Sequence, residues 1–185
     1  MVRVAATLLL AAALVCAGGA RVGAAGTAEG PSEYQVKGAF LYNFMKFVEW
    51  PEGAFTDPVV VAVLGPAPVD QIEEAFRGKL VRGRRVVVQA HDGADRPPRC
   101  HLLFIASDAR GQLRAALRAV AGTPVLTVSD VPEAAEPEAV INLVAVDTRL
   151  GFQVNLDLAT ASGLQISSKL LGLAKTVRGG AGRAR

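Results

Sequence analysis

Six consecutive apolar residues, Val59-Val60-Val61-Ala62-Val63-Leu64, end at Gly65-Pro66. An unbroken, mostly β-branched run has no polar face to turn to water, so the segment reads as a strand buried on both sides. Such a strand needs a covering layer above and below it, and the rest of the chain supplies one by alternating strand and helix patterns. A short helix is expected over 69–76, strands over 85–89 and 101–105, an amphipathic helix over 108–120 with Leu113, Leu117 and Val120 on one side, and a strand over 124–128. An acidic, proline-containing loop over 130–138 leads into strands at 140–146 and 151–156, joined by a turn at 147–150 as an antiparallel hairpin. A helix after Asp157 stops at Gly163. A last helix starts behind a cap at Ser167 or Ser168, with Ile166 and Leu171 as a hydrophobic staple, and runs to Gly179-Gly180. The expected fold is α/β: a single-domain three-layer sandwich, with a mainly parallel sheet, helices on both faces and a C-terminal antiparallel hairpin.

The first helix of the domain has its own signature. Ser32 followed by Gln35 has the spacing of a capping box, and Trp50-Pro51 closes the segment because proline disfavours α geometry in the residue before it. Val36, Phe47, Phe40, Phe44, Val48, Leu41, Tyr34 and Met45 spread over about half the circumference, against roughly 100° for a helix with one buried stripe. The extra arc needs a second element or a partner, and the flank toward Leu41 and Met45 is the one expected to be free. Lys37 falls near the middle of this arc. It must snorkel to the helix end, meet a buried carboxylate or sit at an interface.

Ahead of this domain, Arg3 leads into a thirteen-residue apolar run from Val4 to Cys16, followed by Ala17-Gly18-Gly19-Ala20 and Gly23-Ala24-Ala25-Gly26. A basic start, a short apolar core and small residues are the grammar of a secretory leader, and the run is too short to cross a bilayer. Cleavage can follow Ala20, Ala24 or Ala25, with Ala25 preferred. Val15 before Cys16 argues against a lipoprotein. The expected organisation is a signal peptide over 1–25, a linker over 26–31, the α/β domain over 32–177 and a disordered Gly/Arg tail over 178–185. The leader takes Arg3 and Arg21 from the twenty basic residues and none of the seventeen acidic ones. What remains is nearly neutral and gives no footing for nucleic acid.

The inventory for catalysis is poor. His91 and His101 are the two histidines, and Cys100 and His101, adjacent in a strand, face opposite ways and cannot share a thiolate pair or a metal. Leu64-Gly65-Pro66 lacks the run of N–H donors of a phosphate loop. His91 beside Asp92 reads as solvated. With Cys16 gone, Cys100 has no intramolecular partner and reads as a small core side chain. No enzyme, cofactor or metal is expected. Parallel central strands would bring the loops after Leu64, Ile105 and Val128 to one end of the sheet, where Gly65, Ser107, Ser129 and Asp130 become candidates for a small-molecule site. Each serine, and Asp130, can equally cap the next segment. The cluster Arg82-Gly83-Arg84-Arg85 reads as a solvated turn, with contact to anionic lipid or an acidic partner behind it.

Three stretches together resemble one family. They are Tyr34-Gln35-Val36-Lys37-Gly38-Ala39-Phe40-Leu41-Tyr42-Asn43-Phe44-Met45-Lys46-Phe47-Val48-Glu49-Trp50-Pro51, then Cys100-His101-Leu102-Leu103-Phe104-Ile105, then Phe152-Gln153-Val154-Asn155-Leu156 leading to Gly163-Leu164-Gln165-Ile166-Ser167-Ser168-Lys169-Leu170-Leu171. In content, order and spacing they are similar to the YfiR family of small exported bacterial proteins. The resemblance implies a periplasmic regulator that binds the periplasmic part of an inner-membrane diguanylate cyclase and holds it inactive. It directs attention to Lys37, Leu41, Met45, Ser167, Ser168 and Lys169 as a partner-binding or homodimer surface, and to Arg149, Gln153 and Asn155 on the hairpin as further ligand contacts. Glu138-Ala139 stands where the family often has Gly-Gly, and Gln153 where it often has glutamate. Some members pair the strand cysteine in a disulfide, which Cys100 cannot do alone. The alternative is a solute-sensing or solute-binding module serving a transporter or histidine kinase, or another membrane sensor.

Overall fold

The computed structural model describes residues 30–94, 99–132, 138–146 and 149–180. The leader with its cleavage after Ala25, most of the linker, the middle of the acidic loop, the first two residues of the hairpin turn and the last five residues of the tail lie outside them.

The capping box forms. Gln35 N–H donates to Ser32 Oγ at 3.2 Å, and Ser32 N–H donates to Gln35 Oε1 at 2.7 Å. It opens helix α1, Glu33–Phe47. The helix stops three residues before Trp50-Pro51, because Val48–Glu49 turns extended as strand β1 and pairs antiparallel with Gln165–Ile166 near the C-terminus. The proline does not set this boundary; a tertiary pairing does.

The buried run is strand β2, Val59–Leu64, with helix α2, Val69–Glu74, behind it. A hairpin of β3, Leu80–Val81, and β4, Arg84–His91, follows. Its turn is Arg82-Gly83, with φ of 51° and 76°. Both angles suit the right-handed twist of a two-residue turn, and Arg82 tolerates its own because the guanidinium donates to Val48 O at 2.8 Å. His91, expected in a solvated loop, is instead the last, half-buried residue of β4.

Strand β5, Leu102–Ile105, leads through a 3-10 turn, Ser107–Gln112, into helix α3, Leu113–Ala119, and then β6, Leu126–Ser129. The hairpin is β7, Ile141–Val146, and β8, Arg149–Asn155, so its second strand starts two residues earlier than 151. Helix α4, Leu156–Ala161, strand β9, Gln165–Ile166, and helix α5, Ser168–Leu171, complete that end. The last helix does not run to Gly179. It is one turn long, and Thr176–Arg178 forms strand β10, parallel to β8, with Gly179 and Gly180 behind it. Arg178 is therefore part of the sheet and not of a tail.

The large sheet has the order β10-β8-β7-β6-β5-β2-β4-β3. Pairs β2·β4, β2·β5, β5·β6 and β6·β7 are parallel, and the edges carry the antiparallel hairpins. One face buries Val61, Val63, Leu102, Phe104, Val128, Ile141 and Phe152 under α1, α2, α4 and α5. The other buries Ala62, Leu64, Leu103 and Ile105 under α3 and its preceding turn. Alternation along a strand sends neighbours to opposite faces, and with both faces covered the run has to be apolar throughout.

Candidate functional site

The register places Leu64, Ile105 and Ser129 side by side at the carboxyl ends of the parallel strands. Gly65, Ser107, Ser129 and Asp130 gather at or just beyond these ends. Gly65 has φ of +106°, and a Cβ on it would lie 2.9 Å from that of Ala109, so it serves a tight turn and a close approach of the 3-10 segment. Ser129 is buried, and its Oγ accepts from Val131 N–H at 3.0 Å. Ser107 is half-buried inside the 3-10 turn and does not cap it; Ala106 holds that position.

Asp130 meets Lys37. The Lys37 Nζ donates to Asp130 Oδ2 and also pairs with Glu33 Oε1. Both the Lys37 and the Asp130 side chains are 5% exposed. Burial works against the ammonium, but the hydrogen bonds to Asp130 and Glu33 outweigh it and raise Lys37 above the usual lysine value. The Tyr34 ring lies 4.6 Å from the same nitrogen. Of the three fates open to Lys37, the fold takes the buried carboxylate. A residue expected to bind a partner and one expected to bind a ligand thus neutralise each other, and together they fasten α1 to the end of β6.

Leu41 and Met45 are both 0% exposed. They face the sheet and cannot be a partner surface, because the helix is turned the other way round from the expectation. Its outer apolar flank is Val36, Phe40 and Phe47, all half-buried. With Phe152, Leu170 and Leu173 these residues line a groove of about 520 Å³ between α1 and α5. Its floor is an aromatic cluster in which the Phe40, Phe44 and Phe152 rings meet edge to face, at 5.0 to 6.2 Å. Leu173 stands 72% exposed on its rim. The excess apolar arc was legible in the sequence; which half faced the sheet was not.

The final motif stands beside this groove. Ser167 N–H donates to Phe47 O at 2.9 Å, and Ser167 Oγ accepts from Lys169 N–H at 3.3 Å as the cap of α5. Ser168 and Lys169 are exposed. The β1·β9 pair, Val48 opposite Ile166, holds α1 and α5 edge to edge.

The hairpin residues do not form one site. Arg149 is exposed at the start of β8, and Gln153 is buried between Asn142 and Thr176. Asn155 caps α4, its Oδ1 accepting from Leu158 N–H at 3.0 Å, and its amide donates to Glu138 Oε2 at 3.1 Å. Ser129, Glu138, Asn142 and Gln153 border a hollow of about 10 Å³, room for a water at most. A larger cavity, about 490 Å³, opens at the opposite, amino end of the strands, among Thr56, Asp57, Arg99, His101 and Thr123. Cys100 is buried beside it, and burial pushes its thiol up to about 12. Among the described residues no three His, Cys, Asp or Glu side chains come within reach of one metal ion.

Residues 34–175 match the profile of the YfiR/HmsC-like family. The chain belongs to that family. Among solved structures, a conserved domain protein from Vibrio cholerae O1 biovar El Tor strain N16961 shares the fold, with a TM-score of 0.50 at 12% identity over 80% of this chain. This YfiR/HmsC-like chain spans 60% of that protein's length.

Proposed function

We propose that this chain is an exported, non-enzymatic regulator that binds the periplasmic part of an inner-membrane diguanylate cyclase in the α1–α5 groove and represses cyclic-di-GMP synthesis. The observation that carries this reading is the groove itself. An aromatic floor built from the first and last family motifs, with an exposed Leu173 on the rim, offers an apolar segment of the cyclase a place to be buried. Ser168 and Lys169 then lie at its edge, and a second copy of the chain is the other occupant to test for.

Leu173→Asp is the decisive variant, because the residue is exposed and its loss leaves the core untouched. It is expected to keep the thermal midpoint within about 1–2 °C, abolish capture of the cyclase from solubilised membranes and raise cyclic-di-GMP in cells. Leu41→Gln is the control; it is expected to lower the midpoint sharply whatever the groove binds. Normal repression by a folded Leu173→Asp protein would rule the groove out. Export is tested separately: protein from a periplasmic extract is expected to lack about the first 20 to 25 residues by mass spectrometry.

The solute-sensing alternative draws on the 490 Å³ cavity at the amino ends of the strands, whose size suits a small molecule.

A further inference from the structure

His101 lies just before β5, beneath the strap of residues 54–58 that leads into β2. Its Nδ1 is 3.0 Å from the Val60 amide nitrogen, and its Nε2 is 3.0 Å from the Thr56 amide nitrogen and 3.2 Å from the Thr56 hydroxyl. Both backbone N–H groups point at the ring. A neutral imidazole has one acceptor nitrogen to offer such donors, and an imidazolium has none. The neutral ring therefore accepts from one of the two amides, and protonation removes that one acceptor, leaving both amides facing N–H.

The surroundings on balance disfavour the added charge. His101 is 6% exposed, and the Phe55 ring meets it edge to face at 5.0 Å. Burial holds the ring below the ordinary histidine range, against a backbone hydrogen bond at Val60 that favours the proton and with a smaller push from the positive charge of Arg84 on β4. Asp57 on the strap and Arg99 ahead of β5 share the neighbouring cavity wall with it, and Arg82 lies over Phe55 at 5.7 Å. The facing wall, Ala119, Val120, Thr123, Pro124 and Val125, carries no charge.

We propose that His101 is a proton-responsive latch: neutral, it pins the strap 54–58 to the start of β5, and protonated, it lets the strap go, while Val60 stays held in β2 by its pairing with Val87 and by the His101 backbone N–H that donates to Val60 O at 2.8 Å. The strap forms one side of the amino-end cavity, so its release widens that cavity. It also carries Phe55, whose ring packs on Trp50 at 5.0 Å beneath the Arg82 guanidinium that holds Val48 O. The latch therefore reaches the end of α1, beside the groove, and it stands whether or not that groove binds a cyclase.

Amide exchange at Thr56 and Val60 tests it, on the protein purified from producing cells and followed by NMR from pH 8 to pH 5. Because intrinsic exchange slows in acid, protection factors are compared and not rates. The amide that the neutral ring accepts from is expected to lose protection by up to about tenfold per pH unit below about pH 6.5, because the opened state takes up a proton there, while Ala62 and Phe104 in the paired strands keep their protection. The chain has two histidines, so His91 serves as the internal reference. His101→Gln cannot take up a proton and is expected to abolish the slope. Protonation of His101 with Thr56 and Val60 still protected would overturn the latch, and so would a slope that persists in His101→Gln. Should that variant not fold, the wild-type comparison decides: protection that follows the His91 titration instead also overturns it.

Discussion

Lys37 sits in the apolar arc of α1, where its ammonium is tolerated because Asp130 accepts from it inside the fold and Glu33 closes over it from the turn before. Among the described residues Asp130 Oδ1 has no hydrogen-bond partner, and Lys37 is the counter-charge its carboxylate meets. Lys37→Met removes it and is expected to cost about 3 to 5 kcal/mol by urea unfolding, the usual penalty for a buried charge left alone. Adding Asp130→Asn to that variant is expected to cost less than it does in the native protein, since the stranded charge goes with it. Cys100 is the opposite case, a side chain that only packs. Cys100→Ala is expected to lose about 1 to 2 kcal/mol through a small cavity while leaving repression intact. The pairing of Lys37 with a buried carboxylate was one of three outcomes its place on the helix allowed; the partner, 93 residues away, was beyond any local pattern.

Among the elements, α1 reaches its position through Gly38, where a Cβ would lie 2.8 Å from the backbone oxygen of Ile72 on α2. Gly38→Ala is expected to push the two helices apart and destabilise by about 1 to 3 kcal/mol, read as a lower thermal midpoint. The C-terminal segment shows the limit of local pattern. Leu, Ala and Lys after Ser168 favour helix, yet the chain leaves it after one turn, and Lys175 N–H donates to Phe152 O as the backbone enters β10. The free edge of β8 offers a row of hydrogen bonds that outweighs a few tenths of a kcal/mol of propensity per residue. The short strands β1, β3, β9 and β10 were missed for the same reason. Two or three residues carry no readable period, and only their partners make them strands.

For the whole molecule, the two edges of the pH range are set by different groups. His101 is neutral in the native state, so its contribution to stability is complete above about pH 6.5 and is lost as the pH falls, because the unfolded chain then binds a proton that the fold refuses. Cys100 works from the other side. Its thiol stays protonated up to about 12 in the fold against an ordinary 9.0, so above pH 9 unfolding gains about 1.4 kcal/mol per pH unit from thiolate formation. Lys37, raised as well, adds to the alkaline loss only above its own ordinary value of 10.5. Urea midpoints measured from pH 5 to 11 are expected to show both flanks, and Cys100→Ala to flatten the alkaline one between pH 9 and 10. By itself, the sequence determined the doubly covered parallel core, the capping box on α1, the hairpin and the family, because apolar period, cap spacing and motif order are local and survive without a partner. Tertiary structure alone decided which flank of α1 faces the sheet, that Asp130 at the carboxyl ends meets Lys37, and where the described concavities lie. Each of these depends on which surfaces meet across long sequence separations, and a side chain carries its chemistry in the sequence but acquires its neighbours only in the fold.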